Sequence, residues 1–386
     1  MKIVHLCLSC FYIDNYSYQE NMLPKYHVLQ GHHVTVIASL VSFDSNGKPC
    51  LLESESTTVS KDGFKVVRVD YKRPFYKFNK FVRIYNNILG LLVNEKPDLI
   101  FIHGFSFMDI TKIIKYVAVN KHVKIFVDSH TDLINSAQTW LSLNIFHKVI
   151  FRYYARILSP FVEKFYGTTP LRCDFLRDVY NIDQKKNELL VMGVDDVLLS
   201  NKSRVLIRQK YCTSLGIDDS NFIIVTGGKI DERKNIHLLM QAINNIDNKN
   251  VKLIIFGTVA PEMNVLFESL LISTSIIYVG WLNSDQVMDY LILSDLIVFP
   301  GTHSVLWEQA VGIGTPCVFK FWEGMTHVDV GGNCEFLYKD SAEEITMILN
   351  EIINVKGKYN MMKEISVNKG LKDFSYSDIA KRAIES

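Results

Sequence analysis

The sequence contains no apolar stretch approaching the roughly 20 residues of a membrane-spanning helix, and it has almost no net charge. Lys plus Arg number 42 against 41 for Asp plus Glu, which leaves a formal charge of +1. No global basic field is present, and this argues against nucleic acid as a partner. With 386 residues, of which 48% are hydrophobic, the chain is too long for one core and is expected to form two domains.

Cysteine is sparse and odd in number, with seven scattered residues, as is typical of a reducing compartment. Cys7 and Cys10 form a CxxC without a helix start or a second pair, so we interpret them as incidental thiols at a strand end. The N-terminal segment has no small-residue cleavage site and is typical of a first β-strand rather than a signal peptide. We expect a cytoplasmic protein.

Several chemical motifs are also missing. No G-x-G-x-x-G follows the first strand, which weakens a dehydrogenase interpretation. The chain has no Asp-x-Asp, no G-x-S-x-G and no Walker sequence, so a metal-dependent nucleotide-sugar site of the Asp-x-Asp type and a serine hydrolase are both disfavoured.

Strand-like and helix-like segments alternate along the whole chain. Apolar runs at 2–8 and 33–39 flank a helical segment at 19–29, and a further helix is expected over 79–93. The alternation continues until it loosens near residue 200. It then restarts and continues to 319. Such alternation predicts an α/β protein of doubly wound parallel sheets.

Three segments follow from this pattern. Residues 1–200 are predicted to form a Rossmann-like domain, and residues 201–370 a second Rossmann-like domain. Residues 371–386 are predicted to form a C-terminal helix that packs back on the first domain. Because ligands bind at the carboxyl ends of parallel strands, we expect the site in a cleft between two facing domains.

The stretch 294–320 has the order strand, loop, helix, turn and strand. The loop after Pro300 and the first helical turn present main-chain N–H groups that suit phosphate. Glu308, one turn further on, can accept hydrogen bonds from a ribose diol. A second glycine-containing loop at 226–235 follows another strand, and its Lys229 and Lys234 can converge on a diphosphate.

These segments resemble the motifs of the retaining glycosyltransferases of family 4, or glycosyl transferases group 1, which have the GT-B architecture. Lys229 and Lys234 stand at the Arg and Lys of the G-R-x-x-x-x-K element, and the segment from Glu308 to Pro316 is similar to E-A-x-x-x-G-x-P. Landmarks in the first half, among them the segment 128–130, extend the resemblance to nearly the whole chain.

The resemblance implies sugar transfer from a nucleoside diphosphate sugar to a hydroxyl of a glycan or lipid-linked acceptor. The transfer would proceed with retention and without metal or other cofactor, in bacterial surface polysaccharide synthesis. It implies that residues 1–200 form the acceptor-side domain and that residues 201–370 form the nucleotide-sugar-binding domain. It also implies catalytic roles for His130, Lys229 and Lys234. The predicted donor-binding residues are Gly228, Lys229, Lys234, Trp281, Leu282, His303, Ser304, Val305 and Glu308.

Two departures from the family pattern stand out. A family Glu that touches the donor sugar stands eight positions before the match to Glu308, and here that position is Pro300. The loop offers His303 and Ser304 instead, so the sugar cannot be inferred. The glycine loop of the first domain is replaced by the bulky segment 16–21, which is expected to shape the acceptor site.

Basic and aromatic residues alternate at 65–83 and again at 146–164. Such a composition suits an anionic lipid surface, although a solvated helix face over an aromatic core explains it equally well. We expect peripheral association with the inner face of the cell membrane. Two alternatives to a transferase stay open: a GT-B nucleotide-sugar epimerase, and a catalytically inactive GT-B subunit that serves a partner enzyme.

Overall fold

The computed structural model describes residues 1–44 and 49–385; Ser386, the last residue of the predicted C-terminal segment, lies outside them. The described chain forms two compact units. One contains Met1–Val191 and the chain from Tyr376 onward, and the other contains Met192–Ser375. The boundary between the two units therefore lies before residue 200. Val194 already belongs to the second unit, where its N–H donates to the carbonyl of Phe374 at 2.8 Å.

The first unit is built on an eight-stranded sheet with the order β10-β9-β8-β7-β1-β2-β6-β5. All of its pairings are parallel except that of β5 with β6, and β3 and β4 form a separate hairpin. The strands are β1 (Lys2–Cys7), β2 (His33–Ser39), β3 (Val41–Phe43), β4 (Pro49–Leu51), β5 (Ser56–Val59), β6 (Lys65–Val69), β7 (Leu99–His103), β8 (Lys124–Ser129), β9 (Val162–Gly167) and β10 (Asn187–Leu189).

Helices cover this sheet. They are α1 (Gln19–Leu29), α2 (Tyr76–Val82), α3 (Ile88–Glu95), α4 (Ile110–Val119), a π-helix (Ser142–Phe151), α5 (Arg152–Leu158) and α6 (Pro170–Asp178). The single helix expected over 79–93 is wrong, because Tyr85 bridges Tyr71 and positive φ angles at Arg83 and Asn87 interrupt the helical backbone.

The second unit contains a six-stranded parallel sheet with the order β13-β12-β11-β14-β15-β16. Its strands are β11 (Phe222–Ile230), β12 (Val251–Val259), β13 (Ile276–Gly280), β14 (Leu296–Phe299), β15 (Cys317–Lys320) and β16 (Cys334–Leu337). Its helices are α7 (Asp196–Ser200), α8 (Arg204–Leu215), α9 (Ile236–Asn244), α10 (Asn264–Leu270), α11 (Ser284–Leu293), α12 (Leu306–Ile313), α13 (Ala342–Asn354) and α14 (Lys358–Phe374). A last helix, α15 (Tyr376–Arg382), belongs to the first unit.

The sequences of the central strands are continuous apolar runs because helices cover both faces of each sheet. Every residue of β7, β14 and β15 is buried. Helix α15 packs on α1 through stacked Tyr26 and Tyr376 rings, with centroids 5.9 Å apart, so the chain ends in the first unit. The predicted fold class is confirmed. No helix in the described parts of the chain combines the length and the apolar character needed to cross a bilayer.

The carboxyl ends of β11 and β12 approach each other unusually closely. Gly257 pairs with Gly228 and has a φ of 121°, and a Cβ built on Gly257 would lie 1.8 Å from the carbonyl oxygen of Gly228. Only glycine fits there, since both the backbone angle and the contact exclude a side chain.

We predict that Gly257→Ala lowers the free energy of unfolding by more than about 2 kcal/mol, because left-handed strain and a backbone clash add. Gly216→Ala is the matched control. Gly216 also has a positive φ, of 65°, but a Cβ there meets nothing within 4 Å, so a loss of about 1 kcal/mol is expected. Denaturant unfolding measures both, and equal losses would contradict the close approach of the two strands.

Candidate donor-binding site

Hydrogen bonds join the two loops that the sequence predicts to bind phosphate. The first is the 3₁₀ turn Glu232–Lys234 after β11, and the second is the loop that follows β14. The N–H of Thr302 donates to the carbonyl of Arg233 at 3.0 Å. The Nζ of Lys234 returns to the second loop and donates to the carbonyls of Thr302 and His303, at 2.7 and 3.3 Å.

Two neighbouring residues allow this close contact. A Cβ on Gly301 would lie 2.3 Å from the carbonyl oxygen of Arg233, so glycine is needed where the loop meets the turn. Asn235 donates from Nδ2 to the carbonyl of Pro300 at 3.1 Å. Pro300 is buried, and its carbonyl anchors the loop.

The charges of this turn are unequal in exposure. Burial lowers the pKa of Lys234 to about 8, against the opposing pull of Asp231. The side chain of Lys229 is 66% exposed, with Nζ 3.6 Å from the Asp231 carboxylate. Burial would raise the pKa of Asp231, but the hydrogen bond from Arg233 and the lysine charges lower it. The partly buried Lys234 and the exposed Lys229 and Arg233 therefore all interact with one carboxylate, that of Asp231.

Glu308 lies in the first turn of α12 and is completely buried. Its Oε1 accepts hydrogen bonds from Nε2 of His303 at 2.8 Å and from Nε2 of His327 at 2.9 Å. Burial would raise the pKa of Glu308, but the charges and hydrogen bonds of His303 and then His327 lower it to about 2. Glu308 is therefore a carboxylate at neutral pH, and the side chain of His303 points inward to it.

The other carboxylate oxygen of Glu308 is still available. Oε2 is buried and has no hydrogen-bond partner in the part of the chain that the structure describes. An ionised oxygen with no donor costs free energy, so this atom suits a donor group supplied by a ligand. A ribose hydroxyl is such a donor.

The same three side chains could also hold a metal ion, since one ligand atom from each lies within 4.8 Å of the others. The two Nε2–Oε1 distances of 2.8 and 2.9 Å are those of hydrogen bonds. Around tetrahedral zinc, nitrogen and oxygen ligands stand farther apart, at roughly 3.3 Å. Hydrogen bonding describes this cluster, and the absence of a metal remains a prediction.

Four other predicted donor residues, Gly228, His303, Ser304 and Val305, lie at or beside the start of α12. Helix α12 begins at Leu306, so His303, Ser304 and Val305 form the loop leading into it, with Val305 as the N-cap. A Cβ on Gly228 would lie 3.7 Å from the Leu306 side chain, which places Gly228 beside the helix start.

Trp281 and Leu282 do not lie in these loops. They follow β13, and β11 and β12 separate that strand from β14. Trp281 is 56% exposed. Their predicted contact with the base stays a prediction.

His130 belongs to the first unit, just after β8, at the carboxyl edge of that sheet. Its Nε2 lies 3.7 Å from the Asp128 carboxylate, and its side chain is 31% exposed. The bulky segment 16–21 leads into α1, where Gln19 is buried with neither amide atom hydrogen-bonded within the described chain.

Sequence reasoning missed His327 and Asn235. His327 contacts Glu308 from the 3₁₀ helix Thr326–Val328, 19 positions later, and no motif marks it as a partner. Asn235 follows Lys234 in a left-handed conformation with φ of 53°, which asparagine tolerates better than most residues. That preference is the one signal that could have drawn attention to Asn235.

Solved structures of other proteins share this fold. Sucrose-phosphate synthase from Thermosynechococcus elongatus aligns with a TM-score of 0.71 at 14% identity, covering 99% of this chain and 96% of that one. Anabaena HepE in complex with UDP aligns with a TM-score of 0.70 at 16% identity, covering 99% and 98%. A glycosyltransferase from Rickettsia africae aligns with a TM-score of 0.68 at 14% identity, covering 99% and 96%. The fold is that of the GT-B glycosyltransferases.

The sequence comparison is more specific for the second unit. Residues 207–368 match the model of the family described as glycosyl transferases group 1. The comparison with curated proteins finds no match. The predicted resemblance to GT-B glycosyltransferases is confirmed, and so is the prediction that the chain is a glycosyltransferase.

We predict that Glu308→Gln lowers the free energy of unfolding at neutral pH by about 1–3 kcal/mol, because a charged acceptor of two hydrogen bonds is lost. The folded-state pKa of about 2 lies below the usual 4.5. The stabilising contribution is therefore complete above pH 4.5 and is lost as the pH falls toward 2.

Denaturant unfolding of the wild type and Glu308→Gln across this acid range measures the difference. Glu323→Gln is the control, since Glu323 is an exposed carboxylate of the same unit. A Glu308→Gln difference that stays constant from neutral pH to pH 2 would contradict the assigned ionisation.

Proposed function

We propose that the protein is a retaining, metal-independent glycosyltransferase that uses a nucleoside diphosphate sugar as donor. The observation that carries this proposal is the ionised Glu308, whose unpartnered Oε2 lies in the same βαβ unit as the loop bonded to Lys234. Glu308 Oε2 accepts a hydrogen bond from the donor ribose. Trp281 and Leu282 contact the base.

Departure of the nucleoside diphosphate builds up negative charge, which the protein must stabilise. Lys229 and Lys234 supply positive charge, and the main chain at His303, Ser304 and Val305 supplies oriented dipoles at the start of α12. Lys234 is held in place by two loop carbonyls, so its charge needs little reorganisation during the reaction. His130 orients the sugar or the acceptor hydroxyl, and the new bond forms with retention at the anomeric carbon.

The acceptor is proposed to be a glycan or lipid-linked precursor in bacterial surface polysaccharide synthesis, reached at the inner face of the membrane. Helix α2 and the π-helix are in contact through Phe81 and Phe146, with ring centroids 6.3 Å apart. The exposed fractions are 78% for Phe75, 71% for Phe81 and 73% for Trp140. These two helices and the loop before each form what we call the aromatic-basic surface.

The positive charge of the aromatic-basic surface favours an anionic bilayer as its binding partner. Its exposed basic residues are Lys72, Arg73, Lys77, Lys80 and Lys148. Exposed aromatic rings among cations match the interface of a membrane that carries acidic lipids, where rings enter the headgroup layer and cations meet lipid phosphates.

We predict that Lys234→Met weakens binding of a nucleoside diphosphate by about 1–3 kcal/mol, because a charge-assisted contact is lost. Burial lowers the pKa of Lys234 to about 8, so the wild-type affinity should fall as the pH rises through about 8. Lys234→Met should lack this step. Calorimetric titration over that pH range measures both effects.

Lys229→Met distinguishes the loss of a positive charge from a disturbance of the loop. Lys229 is exposed, whereas Lys234 also donates hydrogen bonds to the loop. Lys229→Met should weaken binding while keeping the step near pH 8. Unchanged binding in both variants would overturn the site assignment.

The reaction itself is tested by release of free nucleoside diphosphate from a panel of nucleotide sugars, with and without acceptor mixtures. Release that requires an acceptor supports the transferase. An epimer formed from donor alone would instead establish the epimerase, and donor binding without release in any mixture would establish the inactive subunit.

For the membrane surface, we predict that the double variant Lys77→Gln, Lys80→Gln binds anionic vesicles less tightly than the wild type, by roughly fivefold per residue, or about 1 kcal/mol each. Co-sedimentation with vesicles of anionic and of neutral lipid measures this. Lys121→Gln, Lys249→Gln is the matched control, with the same charge change at exposed positions elsewhere. Equal binding of both variants, or binding that is insensitive to salt, would contradict the proposal.

A further inference from the structure

Three completely buried histidines form a continuous hydrogen-bonded line through the first unit. His27 Nε2 lies 2.9 Å from the carbonyl oxygen of Ala380 in α15, and His27 Nδ1 lies 3.0 Å from His5 Nε2. His5 Nδ1 lies 3.0 Å from His103 Nε2, and His103 Nδ1 lies 2.7 Å from Asp128 Oδ2. We call this line, from Ala380 to Asp128, the histidine relay.

The number of protons in the relay follows from its ends. A carbonyl oxygen ends one side and a carboxyl group the other, and four hydrogen bonds lie between them. Three neutral imidazoles carry only three N–H groups, one each. Four hydrogen bonds therefore require a fourth proton within the line. The carbonyl of Ala380 cannot donate, so His27 must donate from Nε2, which makes His5 donate to His27 and His103 donate to His5.

The fourth proton resides on the last pair, and the surroundings place it on His103. Burial would lower the pKa of His103, but the Asp128 carboxylate raises it to about 9. Burial would raise the pKa of Asp128, and His103 lowers it. Burial lowers the pKa of His5, and that of His27 to about 4, so both stay neutral. The relay is thus two neutral rings, an imidazolium and a carboxylate.

Other titratable groups face this pair from β1, the loop after it, α1 and β8, and they favour the same arrangement. They are Cys7, Cys10, Glu20 and His130. The Glu20 carboxylate raises the pKa of His103, as Asp128 does. Burial raises the pKa of the Cys10 thiol, so that thiol stays uncharged.

The carboxylate end of the relay faces His130. Asp128 Oδ2 is 3.7 Å from His130 Nε2. Asp128 Oδ1 and His130 Nε2 are both buried, and neither has a hydrogen-bond partner in the described chain. At the other end of the relay, the N–H of Ile384 donates to the carbonyl of Lys381 rather than to that of Ala380. The Ala380 carbonyl is therefore available to His27.

We propose that the histidine relay holds His103 as an imidazolium and Asp128 as a carboxylate, so that helix α15 and His27, His5 and His103 position His130. The role of His130 rests on the proposed function. The number of protons in the relay follows from its four hydrogen bonds, and the placement of the fourth proton on His103 does not depend on the proposed function. Asp128 attracts the Nε2–H of His130, which leaves Nδ1 to meet a sugar or acceptor hydroxyl. His5, His27 and His103 are positioning residues, since none of them reaches substrate.

The charge of His103 can be measured without any activity assay. In the full-length protein labelled with ¹⁵N-histidine, two-dimensional NMR of the imidazole rings distinguishes imidazolium from each neutral tautomer. We expect both nitrogens of His103 to be protonated at neutral pH, and His5 and His27 to be neutral with the proton on Nε2. A neutral His103 in the wild type would overturn the proposal.

Two substitutions of His27 test the coupling along the relay. Glutamine preserves its polarity, because the side-chain N–H₂ can donate to Ala380 while the side-chain oxygen accepts from His5. Leucine removes two links, and the two that remain need only the N–H groups of neutral His5 and neutral His103. His103 should therefore remain an imidazolium in His27→Gln and become neutral in His27→Leu. An imidazolium in both would overturn the coupling.

The kinetic consequence separates positioning from general stability. In His27→Leu, kcat for transfer should fall and its pH profile should change while KM for the donor stays the same; His27→Gln should follow the wild type. If His103 is an imidazolium but no nucleotide sugar reacts, the relay stands and the proposed function fails. If transfer occurs and His103 is neutral, the relay fails and the proposed function stands.

Discussion

The proposed donor site depends on the contact between the turn that holds Lys234 and the loop that follows β14. A half-buried lysine donates to two carbonyls of that loop, and a glycine lets the two backbones approach closely. Because the loop leads directly into α12, the position of the loop also fixes the position of Glu308 at the edge of the sheet. The cation, the helix start and the carboxylate are thus arranged by one short set of main-chain contacts.

The two units solve a similar electrostatic problem in similar ways. Each buries a carboxylate completely, Glu308 in one and Asp128 in the other, and in each a histidine donates to one carboxylate oxygen. In each, the second oxygen has no partner among the described residues. Histidine pairing keeps these carboxylates ionised in surroundings that would otherwise favour their neutral form. A buried ionised oxygen without a donor is costly, so each is suited to receive one from a ligand or a neighbouring side chain.

The fold class could be predicted from the sequence because parallel strands covered on both faces are continuous apolar runs, and helices between them follow a different period. The helix expected over 79–93 failed for a tertiary reason, since the Tyr71–Tyr85 bridge interrupts it. The absence of the family Glu at Pro300 was evident, but its structural consequence was not. The carbonyl of Pro300 anchors the loop to Asn235, and His303 turns inward to Glu308.

The sequence by itself determined the alternation of strands and helices, the placing of Lys229, Lys234 and Glu308 near strand ends, and the resemblance to the GT-B glycosyltransferases. These are properties of local order along the chain, and motif spacing carries them. Only the tertiary structure decided that His327 pairs with Glu308 and that His5, His27 and His103 line up between Ala380 and Asp128. Those contacts join residues far apart in sequence, including one pair separated by 353 positions, and a hydrogen bond between such residues leaves no periodic signal.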